Sequence, residues 1–186
     1  MSASLGGIGN FDDLHPEYEI MDWRGRPYYA DFAWRTPWRF VLLFEIKGFS
    51  KHVRDMDRAG YDNETNREVF LQGIGYRVIS FSYDTIANKP DIGIMLLKLF
   101  ISQFHPSETP AGIPNPIDKE IIRLAFALAG SIRPIDVSRS LRINYRTAKK
   151  ALDNLTSNGW IRPLPKGQGE RGVLYRLTDG AYKYLV

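Results

Sequence analysis

Apolar and polar residues follow a strand pattern in the first part of the chain. The segment EYEIMDW (17–23) alternates, RGR (24–26) is typical of a turn, and PYYADFAW (27–34) alternates again with many aromatic side chains. The segment RFVLLFEIKGF (39–49) holds a continuous apolar run, which is typical of a strand buried on both faces. The pattern therefore predicts three successive strands.

Helical patterns follow, interrupted by one more strand. Residues 51–73 are polar with spaced apolar positions, which indicates one or two helices. The segment YRVISFSY (76–83) has a strand pattern, and PDIGIMLLKLFISQF (90–104) begins with proline and is apolar all round, as in a packed helix. The order β-β-β-α-β-α predicts a fold of the α+β or α/β class, with a mixed sheet flanked by helices.

The proline-rich segment FHPSETPAGIPNP (104–116) has the composition of a linker. It predicts a first domain over residues 1–104, a linker over 105–116 and a second domain over 117–186. In that second domain helical patterns cover IDKEIIRLAFALAG, RPIDVSRSLRI and NYRTAKKALDNLTSNGW, and two strand-like pieces flank KGQGERG.

Charge changes sign near the linker. Residues 1–112 hold 12 Lys and Arg against 15 Asp and Glu, a net charge of −3. Residues 113–186 hold 13 against 6, a net charge of +7, which indicates a polyanionic partner and most often nucleic acid.

Three features bear on the compartment. The absence of cysteine excludes disulfides and cysteine-ligated zinc. The longest apolar stretch, 92–104, contains Lys98 and is too short to span a bilayer, and no signal peptide is evident in the first ten residues. These features predict a cytoplasmic protein with no membrane partner.

Two charged residues end the apolar strand of LLFEIKGF. Glu45 and Lys47 point to the same face of that strand, and Asp31 on the preceding strand could meet Glu45 at the end of the sheet. Two carboxylates with the Ile46 carbonyl could hold magnesium or manganese, and Lys47 could activate water for phosphodiester hydrolysis. The alternative is a Glu45–Lys47 surface ion pair.

The surroundings of these residues resemble the PD-(D/E)XK nuclease superfamily, in particular its very-short-patch-repair-like branch. That branch shows a strand with D-F, an E-x-(D/K)-G step with a nearby histidine, and a helix leading into G-(Y/W)-R-V-x-x-F. The positions that fall on this pattern are Asp31, Glu45, Lys47, Gly48, His52, Arg67, Leu71, Gly75, Tyr76, Arg77, Val78 and Phe81.

The resemblance implies a restriction endonuclease-like fold and a magnesium-dependent DNA endonuclease with Asp31, Glu45 and Lys47 as catalytic residues. His52 and Arg67 become accessory residues, with ordinary surface positions as their alternative. The family core usually opens with a helix that carries another acid. Here only about fifteen Gly-rich residues precede the first strand, so Glu17 or Glu19 would have to stand in.

The second domain resembles a winged helix-turn-helix, as in many bacterial regulators, on the segment IDVSRSLRINYRTAKKALDNLTSNGWIRP. In such domains the start of the third helix enters the major groove and the wing contacts phosphates or the minor groove. The alternative is a winged helix that binds protein. The residues predicted to bind DNA are Asn144, Tyr145, Arg146, Thr147, Lys149 and Lys150 on the helix, and Lys166, Gln168 and Arg171 on the wing.

Together the two domains suggest an endonuclease that a winged helix targets to double-stranded DNA. The domain order also resembles an endonuclease subunit of cut-and-paste transposition systems, which implies recombination or transposition partners and leaves a homodimer open. The alternative is a DNA-binding transcriptional regulator whose nuclease-like domain is inactive and serves dimerisation or sensing.

Overall fold

A computed structural model describes residues 13–48, 58–104, 110, 112–165 and 173–184. The chain divides into two compact units, Met1–Pro90 and Asp91–Val186. None of the described helices is long and apolar enough to cross a membrane.

In the described part of the first unit, four strands and two helices are present. The sheet order is β1-β2-β3-β4, with antiparallel pairing from β1 to β3 and parallel pairing of β3 with β4 across helix α1. This is the mixed sheet that the sequence predicts, with a short α2 added after β4. The elements are β1 Leu14–Met21, β2 Pro27–Arg35, β3 Val41–Lys47, α1 Arg58–Gly73, β4 Arg77–Ser82 and α2 Tyr83–Asn88.

Apolar residues at the centre of this sheet form the first core. Leu42 and Leu43 are neighbours in β3 and both are fully buried, so this strand is covered on both faces, as its continuous apolar run predicts. Leu43 packs in one cluster with Ile20 of β1, Ala30 of β2 and Leu71 of α1. The packing of Leu71 fixes α1 against the sheet.

The second unit holds a three-stranded sheet of order β5-β7-β6 with helices before and between its strands. Strands β6 and β7 pair antiparallel, and β5 pairs with the other edge of β7. This is a winged-helix domain, so the mixed α and β architecture includes the predicted winged helix. The elements are α3 Pro90–Ser102, α4 Pro116–Ala127, β5 Ser131–Ile132, α5 Pro134–Leu141, α6 Tyr145–Ser157, β6 Ile161–Pro163, β7 Tyr175–Leu177 and a 3-10 helix Asp179–Tyr184.

The core of the second unit extends beyond the winged helix itself. Leu152 and Leu155 of α6 are fully buried, and Trp160 packs with them just before β6. Met95 of α3 belongs to the same cluster, which gives α3 an apolar contact with the second core. The two units therefore divide between Pro90 and Asp91, in the first turn of α3, whereas the sequence predicts a linker over residues 105–116.

Helix α4 begins at a capping box. The Asn115 side chain accepts the Asp118 amide at 2.9 Å, and the Asp118 carboxylate accepts the Asn115 amide at 3.2 Å. Pro116 occupies the first turn, where its missing N–H leaves no helical hydrogen bond unmade. These residues fix the start of α4 at the end of the proline-rich segment.

We expect Asn115→Ala to lower the free energy of unfolding of the second unit by about 1 kcal/mol, because one helical amide loses its acceptor. Urea unfolding of the full chain measures this change. Asn154→Ala, at an exposed position inside α6, is the control and should shift the midpoint far less. Equal midpoints for wild type and Asn115→Ala would show that the cap contributes no stability.

Candidate nucleic-acid interface

The structure brings the predicted catalytic residues to one region of the first sheet, but each is held by a neighbouring group. The Asp31 carboxylate accepts the Ile46 amide at 2.6 Å. The Tyr28 hydroxyl donates a hydrogen bond to the Glu45 carboxylate. The Lys47 ammonium forms ion pairs with Glu64 and, at 2.8 Å, with Glu68, both on α1. These contacts join β2, β3 and α1 into one polar cluster.

Burial and neighbouring charges set the ionisation of this cluster. Burial raises the pKa of the Glu45 carboxyl, and the Asp31 charge acts in the same direction against the Tyr28 hydrogen bond and the Arg67 charge. Burial alone would lower the pKa of the Lys47 amine, but the hydrogen bonds from Lys47 to Glu64 and Glu68 outweigh burial and raise it. Lys47 is therefore a charged partner of α1 at neutral pH.

The predicted accessory residues take ordinary structural positions where they are described. The Arg67 guanidinium lies 3.9 Å from the centre of the Tyr28 ring, a cation–π contact. Glu19 of β1 pairs with Tyr29 of β2, and its charge raises the pKa of the Tyr29 hydroxyl. His52 lies outside the described residues.

Among the described residues, no group of three or more His, Cys, Asp or Glu side chains is arranged to hold a metal ion. The carboxylates of Asp31 and Glu45 already accept hydrogen bonds from the Ile46 amide and the Tyr28 hydroxyl. Magnesium or manganese at Asp31, Glu45 and the Ile46 carbonyl stays a prediction, which a metal titration of the full chain would test.

Glu45 and Glu68 should give opposite pH dependences of stability. Because the pKa of Glu45 is raised in the folded state, its contribution to the free energy of unfolding is complete below the pKa of the unfolded state. That contribution is lost as pH rises through the pKa of the folded state. The pKa of Glu68 is lowered, because Lys47 outweighs the effect of burial, so its contribution is lost as pH falls. We expect Glu45→Gln to stabilise the first unit more at pH 7 than at pH 4, and Glu68→Gln to destabilise it more at pH 7. Urea unfolding at both pH values measures this, and the same sign for both variants would contradict the account.

A fixed turn separates the two helices of the helix-turn-helix. The Ser138 hydroxyl donates to the Ile143 carbonyl at 2.7 Å, and Arg142 between them adopts a left-handed φ of 53°. The Asn144 side chain then accepts the Thr147 amide at 2.8 Å and caps the first turn of α6. The turn and the cap together fix where α6 begins.

The sequence period of α6 separates a buried face from an exposed one. Ala148, Leu152 and Leu155 are fully buried in the second core. Arg146 and Lys150, on the opposite face, are exposed. All the predicted DNA-binding positions of the helix are exposed, namely Asn144, Tyr145, Arg146, Thr147, Lys149 and Lys150. The predicted wing residues Lys166, Gln168 and Arg171 lie outside the described residues.

Two arginines next to this surface were missed in the sequence analysis. Arg139 and Arg142 are exposed and flank the turn before α6. Within the described parts of the chain, neither of them has a carboxylate within 4 Å, and the same holds for Arg146. Their place in RSLR, directly before the predicted recognition helix, was the available signal.

The fold and this surface define a winged-helix protein with a basic helix-turn-helix face. The chain is 41% identical over 54 residues to the multiple antibiotic resistance protein MarR of Salmonella typhimurium, a match that covers 28% of this chain and 38% of MarR. A MarR from Escherichia coli is 35% identical over 52 residues, covering 28% of this chain and 36% of that protein. The chain thus spans less than half the length of the curated relatives it matches.

Solved structures give a weaker likeness. A mutant MarR from E. coli complexed with operator DNA superposes with a TM-score of 0.31 and 21% identity, over 53% of this chain and 63% of that chain. No protein-family model matches the chain.

The comparisons correct the interpretation of the chain as a PD-(D/E)XK endonuclease. The relatives found by sequence are MarR proteins, which are not nucleases. The predicted endonuclease activity and restriction endonuclease-like identity were therefore wrong. The catalytic role of Asp31, Glu45 and Lys47 depended on that activity and is withdrawn with it. A physical reason lies in the cluster itself, where Lys47 is neutralised by two carboxylates of α1 and is not free to act on a phosphate. The comparisons also give no support for recombination or transposition partners.

Proposed function

We propose that the chain is a DNA-binding transcriptional regulator whose helix α6 enters the major groove. The observation that carries this proposal is the exposed face of α6, which presents Arg146, Lys149 and Lys150 to solvent while its other face is fully buried. Asn144 caps the helix start, and no acidic residue lies in its first turn to repel phosphate. Arg139 and Arg142 add positive charge beside the same turn.

Charge and similarity support the same proposal. Residues 113–186 carry a net charge of +7, which attracts a polyanion. The matched MarR proteins carry the name multiple antibiotic resistance protein, and one MarR was crystallised with operator DNA. In the proposed complex, Arg146 reaches base edges, whereas Lys166 and Arg171 on the wing contact the backbone.

A second copy of the chain is the proposed partner for a symmetric DNA site. One recognition helix covers one half-site, and a dimer of winged helices places two such helices about 34 Å apart. The first unit is the proposed dimerisation or sensing module, since it carries its own core and lies ahead of the helix-turn-helix in sequence. Sedimentation of the chain with and without a palindromic duplex tests this stoichiometry.

Fluorescence anisotropy of a labelled duplex, titrated with the full chain at several salt concentrations, tests the proposed function. We expect saturable binding. The logarithm of the association constant should fall linearly with the logarithm of the salt concentration, with a slope of about −0.9 for each phosphate that the protein neutralises. An affinity that does not change with salt concentration, or no binding at low salt, would instead favour a winged helix that recognises protein.

A further inference from the structure

Three polar residues form a row across the sheet of the second unit. Arg176 of β7 is paired with Arg162 of β6 on one side and with Ser131 of β5 on the other. Residues that are directly opposite each other in antiparallel strands project to the same face, with Cβ atoms about 4.5–5.5 Å apart. The three residues therefore place two guanidinium groups and one hydroxyl side by side, and we call them the arginine row.

The arginine row lies on the face of the sheet that points away from α6. The residues next to the row along each strand are buried in the second core, namely Ile132, Ile161, Tyr175 and Leu177. The Tyr175 hydroxyl donates to the Asp153 carboxylate of α6 at 3.2 Å, so α6 lies on the face of the sheet that carries Tyr175. Because side chains alternate along a strand, Arg162 and Arg176 project to the other face. Arg162 is exposed, and the side chain of Arg176 is 40% exposed.

The two arginines carry like charges that the neighbouring residues do not balance. Like charges directly opposite each other in a sheet repel and destabilise the pairing. Within the described parts of the chain, no carboxylate lies within 4 Å of Arg162. The Arg176 Nε donates to the Ser131 hydroxyl at 3.3 Å, and its guanidinium lies 3.8 Å from the Asp91 carboxylate, beyond hydrogen-bond distance. Asp91 is 70% exposed, so water screens this ion pair.

Both arginines also act on one buried group at the end of the sheet. Burial raises the pKa of the Tyr182 hydroxyl to about 12, and the Asp179 charge acts in the same direction. The Arg176 and Arg162 charges both act against this rise in pKa. Asp179 itself is paired with the Lys98 ammonium at 2.9 Å, which takes up its charge. The two guanidinium groups are therefore close enough together to form one region of positive charge.

The donors of the arginine row fit a phosphate group. Each guanidinium is a planar fork whose N–H groups bind two oxygens of one anion. The Ser131 hydroxyl accepts from Arg176 and keeps its own proton to donate. A phosphate group offers about two negative charges and three acceptor oxygens, whereas a carboxylate offers a single charge and fewer oxygens. Two cationic forks and a hydroxyl therefore match a phosphate better than a carboxylate.

We propose that the arginine row binds a phosphate group between Arg162 and Arg176, with Ser131 as a further donor. Binding removes the repulsion between the two guanidinium groups and satisfies their donors. The phosphate belongs either to a small phosphorylated molecule or to a DNA backbone, and the recognition chemistry is the same for both. The site depends on the geometry of the sheet and not on the proposed docking of α6.

Calorimetric titration of the full chain with inorganic phosphate tests the site. The titration is made at constant ionic strength and at about pH 8, above the second pKa of phosphate. We expect saturable binding in the millimolar range, and weaker binding of acetate. Arg162→Gln and Arg176→Gln should each lower the phosphate affinity about tenfold or more, because charge-assisted hydrogen bonds are lost. Arg123→Gln removes the same charge from an exposed position of α4 and should bind phosphate as the wild type does.

Arg162→Glu tests the repulsion between the arginines. The variant places a carboxylate opposite Arg176, so it should raise the urea midpoint of the second unit in chloride and should bind no phosphate. Addition of phosphate should raise the midpoint of the wild type and leave that of Arg162→Glu unchanged. A lower midpoint for Arg162→Glu than for the wild type in chloride would show that the arginines do not repel each other and would overturn the proposal.

Anisotropy with a labelled duplex distinguishes the two sources of the phosphate. A DNA phosphate in the arginine row predicts that Arg162→Gln reduces the salt slope by about one relative to Arg123→Gln. A small phosphorylated ligand predicts equal slopes for the two variants, together with saturable binding of inorganic phosphate by the wild type. Equal slopes without saturable phosphate binding, or full phosphate affinity in Arg162→Gln or Arg176→Gln, would overturn the proposal. Failure of the wild type to bind any duplex would reject the proposed function, while the calorimetric titration still decides the site.

Discussion

Arg146→Ala is expected to remove most of the preference of the chain among DNA sequences. Arg146 is exposed in the first turn of α6, where a side chain can reach base edges, and arginine pairs with guanine through two hydrogen bonds. Each such pair contributes roughly 1–3 kcal/mol of discrimination, so the ratio of affinities for a preferred and a scrambled duplex should fall by about 5- to 150-fold.

Arg146→Lys is the matched control, because lysine keeps the positive charge and loses the planar two-pronged donor. It should lose discrimination nearly as Arg146→Ala does, while it keeps the salt dependence of the wild type. Lys166→Ala and Arg171→Ala on the wing should weaken binding to all sequences alike and reduce the salt slope by about one. Loss of preference in a wing variant, with preference intact in Arg146→Ala, would reject the proposed docking.

Leu152→Ala is expected to unfold the DNA-binding unit under mild conditions. Leu152 is fully buried in α6 and packs in the second core with Leu155 and Trp160. Truncation of a buried leucine costs about 2–5 kcal/mol, a large share of the 5–15 kcal/mol that stabilises a typical domain. DNA affinity should fall with the folded fraction.

Hydrogen exchange shows which part of the chain loses stability in Leu152→Ala. The amides of Trp160 and Leu177, which donate to the Leu155 and Gly130 carbonyls, should exchange much faster in Leu152→Ala. Leu128→Ala makes the same change at a side chain that is 44% exposed and should leave both amides protected. Equal exchange in the two variants would show that Leu152 does not support the core of this unit.

The periodicity of the sequence was sufficient to predict the main elements. The continuous apolar run around Leu42 and Leu43 predicted a doubly buried strand, and the pattern of NYRTAKKALDNLTSNGW predicted helix α6. The side chain of Asn144 accepts the Thr147 amide and caps α6, as is typical of asparagine at a helix start. Strand β5 and the 3-10 helix were missed because a two-residue strand and a six-residue helix of two turns are too short to show a period.

The chemistry of the first unit could not be predicted in the same way. In the structure Asp31 of β2 lies against β3, where its carboxylate accepts the Ile46 amide. The sequence did not show that Glu64 and Glu68 of α1 would reach Lys47, because that contact depends on how α1 packs on the sheet. Once Lys47 is paired, a set that resembles a nuclease site becomes a half-buried ion-pair cluster. The spacing of Asp31, Glu45 and Lys47 in the sequence therefore did not distinguish a nuclease site from an ion-pair cluster.

The central claim is that α6 selects DNA sequence, and in vitro selection from random duplexes with the full chain tests it most directly. The wild type should enrich a defined motif over successive rounds, and a symmetric motif would also support a dimer. Arg146→Ala should bind the pool and enrich no motif, or one degenerate at the lost position. Binding of the random pool by the wild type with no motif enriched, or the same motif enriched by Arg146→Ala, would contradict the account.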